Sequence, residues 1–225
     1  ALSWLNKFGF QSGEKFICLL VRDDEYLKKH LSSNDWEYHS YRNSDIESYR
    51  EAIKWLISKD YWIIRMGKLA SKEINIDSNK FIDFSFSNNK TDLIDIWLFA
   101  NCNGCISTGT GPDSIPHIYG IPCLGINWLP VMNIHSFQDI ITYPKYLYDS
   151  NNNLLDLSEI LKSNYYKSED FIRNKIRIEP LSSSQILNSF KEFYTYKLEN
   201  NKIDEDYQIK NSKFWIEVLK IDKNN

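Results

Sequence analysis

No apolar run in the 225-residue chain approaches the roughly 18 residues a membrane-spanning helix needs. The first residues show no signal-peptide pattern. There is no surplus of positive charge either. Lys and Arg number 27 against 30 Asp and Glu, a formal net charge of −3, so no basic field argues for nucleic acid. Cysteine is scarce, with Cys18, Cys102, Cys105 and Cys123 the four present. Cys102 and Cys105 form a C-x-x-C, but a redox pair takes its low pKa from a helix N-terminus. These two fall where a predicted helix ends and a strand begins. Zinc would want a second pair, which Cys18 and Cys123 do not offer. Reduced, buried thiols of a cytoplasmic protein are the expectation. The chain also lacks the Lys-Ser/Thr of a P-loop and the third glycine and acidic residue of a dinucleotide fingerprint. It shows no carboxylate pair at identifiable glycosidase spacing. ATP hydrolysis and dinucleotide-dependent redox chemistry are therefore disfavoured.

What is present is apolar and aromatic enough, at 42% and 15%, to build a sizeable core. A helix is expected over residues 1–10. The run Phe16-Ile17-Cys18-Leu19-Leu20-Val21 reads as a strand buried on both faces, as in a parallel sheet. Ser44-Asp45-Ile46-Glu47 has the form of a capping box with Ser44 as the cap, opening a helix that runs to about Ser58. Strands follow at 61–64 and 81–84, then a helix capped near Thr91. Residues 130–144 read as irregular. Helices are expected over 154–163, 182–199 and 207–219, with a polar linker at 200–206. Strands alternating with helices predict a doubly wound, mostly parallel α/β sheet.

The most informative stretch is residues 104–127, GCISTGTGPDSIPHIYGIPCLGIN. A strand enters Ser107-Thr108-Gly109-Thr110-Gly111, Pro112 opens a short helix, and the next strand is expected at 121–126. A glycine- and hydroxyl-rich loop before a helix N-terminus is suited to an anion, since free amides and the helix dipole can face it. Pro112 fits a first helical position, where its missing N–H costs nothing. Ligands of such sheets sit at the carboxyl ends of the strands. Three strand ends carry phosphate-suited groups: Arg22, Arg65 and the loop 107–111.

The sequence also carries a resemblance. Tyr41-Arg42-Asn43-Ser44-Asp45-Ile46, followed about a helix later by Ile63-Ile64-Arg65-Met66-Gly67, resembles a little-characterised bacterial family of glycosyltransferases. Phe16 to Tyr26 fits the same family, and Thr91-Asp92-Leu93-Ile94-Asp95 and Gly109 to Pro122 extend the likeness across most of the chain. More broadly, the chain resembles the C-terminal, donor-binding half of a GT-B glycosyltransferase. There, two Rossmann-like domains face each other across a cleft. The resemblance implies a Rossmann-like three-layer αβα domain over residues 1–199 and a linker and C-terminal helix over 200–225. An N-terminal acceptor domain would be missing, in keeping with a start at Ala1 that lacks Met. It further implies a nucleotide sugar as donor substrate, a glycan or lipid-linked acceptor, and no metal or other cofactor. It places the protein in the cytoplasm, touching the inner membrane at most peripherally, in surface polysaccharide assembly.

By the same resemblance Arg22 and Arg65 would be catalytic, gripping the diphosphate as negative charge builds on the leaving oxygens. Ser107, Thr108, Gly109, Thr110 and Gly111 would donate to the same group. Arg42 and Asn43 either face the cleft or serve only as the approach to a capped helix, and Asp45 is a first-turn acid. Asp83 either touches the ribose or base or caps a turn. His117 and His39 are further cleft candidates, His39 by location the better acid or base. Asp92 and Asp95 read as helix-start charges. Tyr38, Tyr41, Trp128 and Tyr143 either stack on a base or sugar or pack. Two other readings stand beside the transferase. One is a nucleotide-sugar epimerase or hydrolase on a similar scaffold, and the other a non-catalytic module for a nucleotide or phosphosugar.

Overall fold

Apolar runs bounded by polar turns set the strands. In the computed structural model, which describes residues 1–25, 29, 37–88, 90–199 and 205–222, six of them form one sheet. They are β1 (Lys15–Leu20), β2 (Tyr61–Arg65), β3 (Phe81–Asp83), β4 (Gly104–Ser107), β5 (Cys123–Trp128) and β6 (Ile140–Pro144). Their order is β3-β2-β1-β4-β5-β6, and every pairing is parallel. This is the doubly wound Rossmann order, with its reversal between β1 and β4. The α-helices are α1 (Leu2–Asn6), α2 (Arg50–Ser58), α3 (Asp92–Asn101), α4 (Ser114–Ile118), α5 (Leu157–Ser163), α6 (Ser168–Arg173), α7 (Ser183–Phe193) and α8 (Glu205–Asp222). Strands β7 (Tyr146–Tyr148) and β8 (Arg177–Glu179) pair antiparallel outside the main sheet.

The period of two along β1 divides the core into two layers. Ile17 and Leu19 join Ala52, Ile53 and Leu56 of α2 and Ile186, Phe190 and Phe193 of α7. Phe16, Cys18 and Leu20 join Trp4 and Leu5 of α1 and Leu98 and Phe99 of α3. The chain is thus a three-layer αβα domain, the class the sequence predicts. A smaller cluster of Tyr41, Leu129, Leu147, Leu161 and Phe171 packs beside it, with Phe214 and Val218 of α8 against it. Among the described residues no helix is long and apolar enough to cross a membrane.

Several local expectations are corrected. The cap at residues 44–47 is Asp45, whose Oδ1 accepts from the Glu47 amide at 3.1 Å. Ser44 is engaged with the Tyr49 hydroxyl and the Asn127 amide, and Glu47 pairs with Arg50 at 2.7 Å rather than reaching back. The stretch 130–144 contains β6, whose parallel pairing with β5 supplies order that periodicity does not reveal. The helix over 182–199 ends at Phe193 and continues as a π-helical turn to Glu199. Strands β7 and β8 and helix α6 escaped the reading because three to six residues show too little periodicity. Thr91 does cap α3, accepting from the Ile94 amide at 3.2 Å. Tyr26, His30, Trp36 and most of the 200–206 linker lie outside the described residues.

Candidate functional site

The site is built where the winding reverses. Leu20 and Ser107 are register partners at the ends of β1 and β4. Just beyond them the Thr108 amide donates to the Leu20 carbonyl at 3.2 Å, and the Arg22 amide donates to Thr108 Oγ1 at 2.9 Å. Arg22 is thereby fixed beside the loop 107–111. A 3₁₀ turn over Glu37–Arg42 brings the third piece, and an Arg42 guanidinium nitrogen donates to the Gly109 carbonyl. Arg22, Arg42 and the glycine loop, remote in sequence, therefore converge at one sheet edge.

The loop does not offer its donors as expected. Asp113, almost fully buried, accepts from both the Ser107 hydroxyl and the Thr110 amide at 2.7 Å. The Gly109 amide donates to Ser107 Oγ at 3.1 Å. Burial pushes the Asp113 carboxyl above its ordinary range, against the pull of those two donors. The loop thus wraps its own carboxylate, and Ser107, Thr108 and the Gly109 and Thr110 amides serve structure. The two glycines also differ. Gly109 sits at φ +78° with the Trp128 ring 3.3 Å from where a Cβ would lie, whereas nothing lies within 4 Å of one on Gly111. Gly109→Ala should lower stability by about 1–2 kcal/mol for the left-handed backbone alone, whereas Gly111→Ala should be close to neutral. Urea unfolding of the two variants separates them.

Side chains supply the charge instead. Burial, and then the Arg42 guanidinium, pull Arg22 below its ordinary pKa. The Arg42 charge thus lies near enough to act on Arg22. The Nε atoms of both are buried with no hydrogen-bond partner in the described protein, and so are His39 Nδ1, Asn43 Oδ1, Thr110 Oγ1 and Trp128 Nε1. Buried polar atoms are nearly always paired, so orphans gathered at one edge mark where a polar ligand belongs. Beside them opens a cleft of 680 Å³ lined by Arg42, Thr110, His117, Trp128, Asn133 and His135 among others. Among the described residues no three His, Cys, Asp or Glu side chains are placed to hold a metal ion.

Other candidates fall elsewhere. Arg65 is 2% exposed, donates to the Lys72 carbonyl at 2.6 Å, and pairs with Asp83 at 3.0 Å. Asp83 also accepts from the Ser85 hydroxyl. Both residues are committed to tying β2 to β3, away from the switch point, and neither reaches the cleft. His117 lines the cleft from α4. Burial opposes its charged form, but Cys123, Asp113 and Asp139 outweigh that and hold the imidazole above its usual pKa. All four cysteines are free and buried.

Two supports went unread in the sequence. Asn127, fully buried at φ +53° in the bulge that ends β5, donates to Ser44 Oγ at 2.9 Å and accepts from the Leu181 amide at 2.7 Å. Lys145, 6% exposed, donates to the Tyr41 and Asn43 carbonyls at 2.7 and 2.6 Å, clasping Arg42 from both sides. A lone Lys after Pro144 carries no signal for this. Burial pulls the Lys145 ammonium down to about 8. Between that value and the unfolded-chain value the native state binds fewer protons than the unfolded one, so stability rises with pH there. Lys145→Met should cost about 1–3 kcal/mol at neutral pH by stranding two carbonyls. It should also abolish that rise, as read from wild-type and variant unfolding between pH 7.5 and 10.

Fold and site together define a Rossmann-like domain with a cationic, polar pocket at its switch point. No family model and no curated protein matches the chain. Among solved structures it is similar to E. coli ADP-heptose LPS heptosyltransferase II, with a TM-score of 0.47 and 12% identity, over 87% of this chain and 51% of that one. The chain spans about half the length of that structure, and a likeness of this size assigns no residue a role.

Proposed function

We propose that this chain is the donor-binding domain of a sugar transferase and holds the diphosphate of a nucleotide-activated sugar between Arg22 and Arg42. The observation that carries the reading is a pair of mutually repelling guanidinium groups, each with a buried Nε that no described protein atom satisfies, at the switch point of a doubly wound sheet. Transfer breaks a sugar–phosphate bond and leaves an added negative charge on the diphosphate. Two guanidinium forks stabilise that charge without a metal. Thr110 Oγ1 and Asn43 Oδ1 lie beside them as a donor and an acceptor for the ligand's hydroxyl groups. The resemblance to glycosyltransferases supports a glycan or lipid-linked acceptor and a general base contributed by a facing domain.

The test is a thermal-shift and calorimetric screen of UDP-, GDP-, CDP- and CMP-sugars, followed by an assay for free nucleotide. Binding of a nucleoside diphosphate sugar is the expected result, and no binding by any of them overturns the reading. Binding without nucleotide release in the full-length protein would leave a binding module in its place.

A further inference from the structure

Two histidines at this edge carry buried ring nitrogens with no partner in the described protein, His39 and His117, and His39 is the one set on the turn of Arg42. It lies on the same 3₁₀ turn as Arg42, half-buried, its ring 4.0 Å from that of Tyr38 and 6.2 Å from that of Tyr41. Its Nδ1 is buried with no partner in the described protein. The charges that act on it are cationic: Arg42 on its own turn, Arg22 at the end of β1 and Lys167 at the start of α6. The acids nearby act on its neighbours. Asp23 and Asp24 act on Arg22, and Asp170 acts on Tyr41 while accepting from the Tyr166 and Lys167 amides. Burial, then Arg42, Arg22 and Lys167, hold the imidazole below its ordinary pKa.

Resting on the diphosphate reading above, we propose that His39 is a third diphosphate contact, neutral in the ligand-free chain and protonated when a diphosphate lies between Arg22 and Arg42. The proton comes from solvent and no covalent bond changes. The ligand's negative charge offsets burial and the cationic repulsion that together disfavour the charged ring, and the unpartnered Nδ1 becomes available to donate to it. The consequence is charge selectivity. A free diphosphate carries one more ionisable oxygen than its sugar ester, so His39 favours the form that exists after the sugar has left.

The test is a proton NMR titration of the histidine ring signals of the full chain, with and without inorganic pyrophosphate. His39→Gln identifies the His39 signal by its loss. An anion within a few ångströms should raise that ring's pKa by about one unit or more. By linkage, pyrophosphate should then bind about tenfold more tightly at low pH relative to high pH in the wild type than in His39→Gln. A His39 pKa unmoved by bound pyrophosphate overturns this proposal and leaves the diphosphate site standing. Failure of pyrophosphate to bind overturns both. Should His39→Gln fold poorly, loss of the other three signals in His30→Gln, His117→Gln and His135→Gln assigns the His39 signal in the wild type by elimination.

Discussion

Arg22→Ala and Arg42→Ala should each weaken nucleoside diphosphate binding by about 1.5–3 kcal/mol, roughly 10- to 160-fold in Kd. The reason lies in the ligand-free chain. The two guanidinium groups oppose each other, and burial already disfavours the charge on Arg22. An anion between them resolves both costs at once, so each side chain contributes more to the complex than to the fold. Neither variant should lose folding stability through charge, and relief of repulsion should leave it unchanged or slightly raised. Arg42→Ala also frees the Gly109 carbonyl, so it should loosen the loop where Arg22→Ala does not. The double variant should lose less than the sum of the singles, because the first substitution removes the repulsion the second would have relieved. Calorimetry with the best-binding nucleoside diphosphate, beside urea unfolding, reads both quantities. Affinity unchanged in both single variants would remove the site from this edge of the sheet.

Arg65→Ala should behave in the opposite way, costing about 3–5 kcal/mol of stability while leaving nucleotide affinity intact in whatever protein remains folded. Its guanidinium is fully enclosed, and its partner Asp83 is only 15% exposed. Truncation would strand a carboxylate with little water to solvate it. Asp83→Asn in the Arg65→Ala background should recover part of the loss, as the stranded charge is removed. Should Arg65→Ala instead abolish binding with stability unchanged, Arg65 would belong to the pocket and the structural role given to it here would be wrong.

The contrast between these arginines shows what sequence can and cannot convey. The alternation of strands and helices and the apolar runs of β1, β2, β4 and β5 were legible because burial on both faces demands them. Arg22 and Arg65 look alike in sequence, each the first cation at the end of a buried strand. Only the sheet order distinguishes them, since β1 borders the reversal and β2 does not. Residues 107–111 have the composition of an anion loop. The carboxylate that fills it, Asp113, lies two residues past Gly111, outside the glycine- and hydroxyl-rich stretch, and composition carries no signal of its engagement with the Ser107 hydroxyl. Lys145 and Asn127 left no local trace, because their partners are 102 and 83 residues away in the chain for the Asn43 and Ser44 contacts.

Those two long-range ties bear on how small a working piece of this protein can be. Arg22, His39, Arg42 and the loop 107–111 have all appeared by Gly111. Yet the turn that carries Arg42 hangs from the ammonium of Lys145, just past β6, and the end of β5 is moored to the amide of Leu181. A piece cut after β5 would keep all the motif residues and lose the architecture that points them at a common ligand. The shortest segment that retains the pocket therefore reaches at least Leu181 and, with Trp4 and Leu5 buried on one face of the sheet and Phe190 and Phe193 on the other, runs from α1 to the end of α7.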